Sequence, residues 1–208
     1  RGVLVNIWFL LWLLLSGALL YFFGWTLFIL HRQKLAWRDF AGKRKLRFQP
    51  RAFLEAPEIS GLVDDYSISL FTAEHAAPDA RSNRKMTAFE IKLKSRMPFA
   101  GGIASGGMVP LVQRLGLREE YRPASAAWKD SYIASGDSRA GLESYLTPPR
   151  LAALEALMQM KNAWVIFVFR DDVSLLRLDM ADPLDSAKKL EFVTRKMIET
   201  ARVLEIES

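Results

Sequence analysis

Residues 3–30 read VLVNIWFLLWLLLSGALLYFFGWTLFIL, 28 positions without one charged side chain. A hydrocarbon core about 30 Å thick takes about 20 apolar residues in a helix, so this run is long enough to span with some tilt. Trp8 and Trp25 stand 17 positions apart. At 1.5 Å per residue that is about 25 Å of helix, the spacing of two interfacial aromatic belts. Tyr21, Phe22 and Phe23 thicken the second belt, and Trp12 and Trp37 complete the expected interfacial set. Asn6, the strongly polar side chain of the run, sits near one end, where water is close. Ser16, Gly17, Ala18 and Gly24 form a small-residue patch that a second helix can approach. A cleaved signal peptide has an apolar region of about 7–15 residues ending in a small-residue site such as A-x-A. This run is much longer and no such site follows, so it reads as a retained anchor. Arg1 is no translation start, so residues are expected upstream.

The net charge of +6 suggests a nucleic-acid binder until it is located. Between His31 and Arg51 stand eight basic residues, Arg32, Lys34, Arg38, Lys43, Arg44, Lys45, Arg47 and Arg51, against Asp39, a local charge of +7. Residues 52–208 carry −2. The positive-inside rule puts such a juxtamembrane segment on the cytoplasmic side. There Arg32, Lys34, Arg38, Lys43, Arg44, Lys45 and Arg47 would meet anionic lipid headgroups, at about 1 kcal/mol per basic residue. DNA binding calls for a basic patch on the folded domain, and this domain is mildly acidic, so no nucleic-acid partner is expected. Cysteine is absent, which removes disulfides, thiolate metal sites and a cysteine nucleophile and fits a reducing compartment.

The organisation is then an anchor (1–31), a basic juxtamembrane segment (32–51) and one soluble domain (52–208), large enough for a real core. The anchor helix is expected to continue to about Ala41 and stop at Gly42. Residues 45–49, 61–66, 67–74, 85–94 and 128–134 read as strands by alternation, with Asp64 and Asp65 on opposite faces of one of them. Residues 75–85 read as a polar loop. A short helix over 138–146 is followed by a stronger one capped by Thr147 with Pro148 in first position. Residues 164–170 and 173–180 form a hairpin turning at Asp171-Asp172. The apolar run WVIFVF makes its first strand central in the sheet. Asp182 and Pro183 open a last helix with an apolar stripe from Leu184 to Leu204. Strands, helices, a hairpin and a final helix without βαβ alternation give an α+β fold, a mainly antiparallel sheet with helices packed on one face.

Phe40 to Leu46 after the anchor, Gly61 before a strand pair, the strand end Ile133-Ala134-Ser135-Gly136-Asp137, Leu146-Thr147-Pro148 and the closing hairpin and helix carry a resemblance. The chain resembles a loose group of uncharacterised bacterial membrane proteins that join a membrane helix to a cytoplasmic α+β domain of unknown function. The resemblance implies an inner or plasma membrane location and brings no catalytic residues. Members often have more than one span.

His31 and His75 are the histidines of the chain. Neither has a partner at HxxxH or HxxE spacing, so no metal site or Ser–His–Asp triad is expected. Residues 97–117, MPFAGGIASGGMVPLVQRLGL, hold four glycines within seven positions. They lack the GK[ST] or GxGxxG of a phosphate loop, so no nucleotide or other cofactor is expected. The stretch is almost uncharged, and a soluble domain does not readily leave that exposed. It must pack on its own domain, take a partner or dip into the membrane interface. Met97, Phe99, Ile103, Met108, Val109 and Leu111 are therefore the candidate partner-binding residues.

The leading expectation is a non-catalytic accessory subunit, single-pass with its C-terminal domain cytoplasmic, that stabilises a larger membrane assembly such as a respiratory or photosynthetic complex. The alternative is a membrane-tethered ligand- or lipid-binding sensory module, which requires a cavity of several hundred Å³ with apolar walls and a few polar groups. An enzyme is the third.

Overall fold

The computed structural model describes residues 7–52, 55–76, 83–170 and 173–206. Asn6 and the expected turn at Asp171-Asp172 lie outside them. Helix α1 (Ile7–Arg44) runs unbroken for 38 residues and is long and apolar enough to cross a membrane. Its two halves differ. Side chains from Ile7 to Phe23 are exposed or nearly so, Trp8, Trp12 and Tyr21 among them. Gln33, Trp37, Phe40 and Ala41 are buried, at the i, i+4, i+7, i+8 spacing of a single helix face. Trp37 is wholly enclosed, and its Nε1 donates to the Leu184 carbonyl at 2.9 Å. The second half of α1 is thus a core helix of the domain, and the expected boundary at residue 31 falls inside one continuous helix.

Gly42 does not stop this helix. The helix ends three residues later, where Lys45 takes φ 56°. The Leu46 amide donates to the Ala41 carbonyl at 2.8 Å, and the Lys45 amide to Gly42 at 3.4 Å. These are the paired bonds of a Schellman cap, with Leu46 and Ala41 as its buried contact.

Among the described residues nine strands form one sheet, β1 (Arg47–Gln49), β2 (Glu58–Val63), β3 (Tyr66–Ala76), β4 (Asn83–Lys92), β5 (Gly101–Ser105), β6 (Glu119–Glu120), β7 (Tyr132–Gly136), β8 (Ala163–Arg170) and β9 (Val173–Met180). The order is β1-β2-β3-β4-β9-β8-β5-β7-β6, and each pairing is antiparallel. β8 lies between β9 and β5, inside the sheet as its apolar run requires. Asp64 and Asp65 do not sit within a strand. Both have positive φ, 50° and 62°, and form the turn of the β2–β3 hairpin, with Val63 paired to Tyr66. That is the two-residue primed turn whose twist matches its strands. Trp128 to Ser131 is irregular chain ending in a turn rather than strand, and β7 begins at Tyr132. The expected loop over 75–85 shrinks as well. His75 pairs with Arg84 inside the β3–β4 ladder, and residues 77–82 lie outside the described ones.

Helices α3 (Arg139–Tyr145), α4 (Pro148–Met158) and α5 (Ala187–Leu204) pack with the second half of α1 on one face of the sheet. Trp37, Phe89, Ile103, Phe167, Leu178, Leu190 and Met197 meet there in the main core. The Asp182-Pro183 pair does not open α5. Ser186 caps it, its hydroxyl accepting from the Lys189 amide. On the opposite face the short helix α2 (Val109–Gln113) and the turn before it cover a smaller cluster of Ala104, Met108, Val112, Ile133 and Ile166.

Candidate functional site

Thr26, Ile29, Leu30 and Gln33 recur at the spacing of one helix face, where the uncharged run of α1 meets its buried half. They form one wall of a cleft of about 760 Å³. The connection from β1 to β2 supplies a second wall with Arg51, Glu55, Ala56, Pro57 and Glu58, and its position is fixed by Lys34, whose ammonium donates to the Ala52 carbonyl at 2.9 Å. Thr72 and Glu74 of β3 and Lys85 and Thr87 of β4 form the floor, closed by Ala181 and Pro183 beyond β9. Paired strands put Thr72 opposite Thr87 and Glu74 opposite Lys85, so these side chains share a face. Gln33 and Thr87 are buried.

Both cations of the lining already have carboxylate partners. Arg51 donates to Glu58 at 2.7 Å, and Lys85 stands 3.6 Å from Glu74. Glu55 adds a further carboxylate. Ile29 and Leu30 make the α1 wall partly apolar, beside Thr26 and Gln33, and the far rim is charged, an arrangement that suits a molecule with two unlike ends.

The anticipated sites fall differently. Met97, Ile103 and Met108 are buried and Phe99 packs on the main core. Val109 packs on the smaller cluster, and Leu111 is 38% exposed. The Gly-rich stretch is not a loop awaiting a cover. Its centre is β5, paired on both sides with β7 and β8. The basic segment divides. Arg32 pairs with Asp185 at 3.7 Å and Arg44 with Glu191 at 2.6 Å, so together with Lys34 they seat α1 on the domain. Arg38, Lys43, Lys45 and Arg47 remain exposed. Trp25 is exposed and stacks on Tyr21 at 6.4 Å, while Trp37 is core.

On the other face of the sheet stands a charged group that alternation alone did not reveal. His75 Nε2 lies 2.5 Å from Asp179 Oδ2, and Asp179 is wholly buried. Arg177 donates to both Asp179 oxygens, at 2.7 and 2.8 Å, and to Glu90 at 3.1 Å. Burial pushes the Glu90 carboxyl above its ordinary value, against the opposing pull of Arg177. The His75 ring meets Trp164 edge-on at 5.0 Å. Every member is engaged by a neighbour in a ladder or a fork, which makes the group a brace across β3, β4 and β9. Among the described residues no three His, Asp or Glu side chains stand together as a metal-ligand set.

No protein-family model matches the chain, and no curated protein matches it. Among solved structures the chain is similar to the crystal structure of the mycobacterial trehalose monomycolate transport factor A, TtfA, at 8% sequence identity and a TM-score of 0.44, over 86% of this chain and 98% of that one.

Proposed function

We propose that the chain is a membrane-anchored module that binds an amphiphilic molecule, with its headgroup in the cleft and its apolar part along the end of the anchor helix. The observation that carries this reading is the cleft wall of Thr26, Ile29 and Leu30. These residues belong to the last turns of the uncharged run, so the cleft opens where α1 leaves the bilayer. A volume of about 760 Å³ falls in the range of small-molecule sites, roughly 300–1,000 Å³. Of the exposed basic residues, Arg38 lies about 12 Å of helix beyond Leu30, near enough to meet anionic headgroups, while Lys43 lies about 20 Å beyond it and outside their reach.

The accessory-subunit reading loses one of its motives, because the apolar stretch that needed a cover is covered by its own sheet. The anchor and the lack of a recognisable catalytic constellation remain compatible with both readings. The test is native mass spectrometry of the full chain released from membranes in mild detergent. The proposal expects a bound amphiphile that disappears in a variant with the cleft filled, Thr72→Trp with Ala181→Phe, whose melting curve stays cooperative. Equal lipid retention by the filled variant, or capture of stoichiometric membrane subunits with an empty cleft, contradicts it.

A further inference from the structure

Resting on the cleft reading, we infer that the site selects headgroups that donate hydrogen bonds and carry no net negative charge, an ammonium or a cluster of hydroxyls, over anionic headgroups. An apolar chain moving from a bilayer to an apolar wall gains little, because lipid tails are as apolar as the side chains that replace them. Preference among amphiphiles must then come from the polar end.

Three carboxylates, of Glu55, Glu58 and Glu74, face two cations, of Arg51 and Lys85. Both cations already have carboxylate partners, at 2.7 and 3.6 Å. The phosphate of an ethanolamine headgroup carries its own ammonium, but a headgroup of net negative charge entering here must compete with Glu58 or Glu74 for a cation or sit beside Glu55. Either course sets like charges side by side, which is what discriminates against a wrong ligand. A donor-rich headgroup meets acceptors instead. The carboxylates retain lone pairs that their cations leave open, and the Gln33 amide and the Thr72 and Thr87 hydroxyls both donate and accept. The cleft thereby takes from a membrane surface the molecules that are not anionic.

The experiment titrates the full chain in mild detergent with three diacyl lipids of identical chains, bearing phosphoglycerol, phosphoethanolamine or monogalactosyl headgroups. Bound lipid is read by native mass spectrometry. Binding outside the cleft is measured on the filled Thr72→Trp, Ala181→Phe variant and subtracted. The expected result is cleft-dependent binding of the ethanolamine or galactosyl lipid at least about tenfold tighter than the glycerol lipid. Replacing the exposed Glu55 by Lys should then narrow that gap by strengthening the anionic probe. Cleft-dependent binding of the anionic lipid as tight as the others overturns the headgroup inference and leaves the cleft reading standing. If filling the cleft changes the binding of none of the three, the cleft reading itself has failed. The galactosyl and ethanolamine arms decide whether hydroxyls or an ammonium supply the donors.

Discussion

Gly101 shows why a single hydrogen matters in a packed sheet. A Cβ there would stand 2.4 Å from the ring of Phe169, which is wholly buried. Interiors packed to crystal density cannot absorb such a contact without moving a side chain or the backbone. Gly101→Ala should cost about 1–3 kcal/mol, read as a lower denaturation midpoint at an unchanged slope. Asp185 supplies a pH-dependent contact. The Lys189 hydrogen bond, opposed by burial and aided by the charges of Lys189 and Arg32, holds its carboxyl below the ordinary 3.8. A carboxylate lowered by folding adds stability above its unfolded value and loses it as the pH falls through its folded one. Asp185→Asn should therefore melt earlier than the natural chain at neutral pH. The difference should close as the pH drops below about 3.8, and a gap that persists in acid would assign the loss to packing instead. The same scale explains what the sequence hides. His75 and Asp179 are 104 positions apart, and neither carries a local mark of the other. Asp64-Asp65 reads as strand from the sequence, and two positive φ angles make it a turn.

Helix α1 shows how two solvents can be written into one element. Its N-terminal part is apolar on all sides, the pattern of a helix in lipid, and its C-terminal part has one buried stripe, the pattern of a helix on a sheet. The first pattern is legible in the sequence, whereas Trp37 reads there as one of an interfacial set and proves to be wholly buried. The continuity of the two parts is legible as well, to about Ala41, but the true end of the helix is not, because Gly42 resembles a stop and the Lys45 cap uses a residue that rarely takes a positive φ. Trp37→Ala should destabilise the domain by about 3–5 kcal/mol through the cavity it leaves. Trp37→Phe keeps most of the ring and should lose less, about 1 kcal/mol of it from the missing bond to Leu184. Thermal melts of both variants test the docking of α1, and equal losses would mean the bond rather than the packing holds the helix. β5 is the central element that sequence reading missed, along with the short α2 and β6. A strand buried on both faces shows no alternation, and Gly-Gly-Ile-Ala-Ser offers none of the bulky β-branched pattern of its neighbours apart from Ile103. Its signal was present in another form, as an apolar stretch that had to be covered.

At the scale of the molecule, the α+β class, the antiparallel sheet and the helical face follow from element order and periodicity, whereas the strand order β4-β9-β8-β5 depends on contacts between segments far apart in the chain. The cleft lay beyond sequence reading for the same reason, since its walls come from α1, the β1–β2 connection, β3, β4 and the segment after β9. Only the cavity's existence could be posed as a requirement of the ligand-binding alternative. Charge placement sets the expected orientation. With no native cysteine, a single Leu62→Cys at a position 67% exposed should react with a membrane-impermeant maleimide only after the cytoplasmic side is opened. Labelling of intact cells would put the domain outside. The most direct test of the central claim is photocrosslinking in membranes with a lipid carrying a diazirine near its headgroup, followed by mapping of the adducts. The account predicts adducts on the cleft floor and rim, at Thr72, Thr87 or Ala181, lost when the cleft is filled. Adducts confined to the outer surface of α1 between Ile7 and Phe23 would contradict it and leave the helix as an anchor alone.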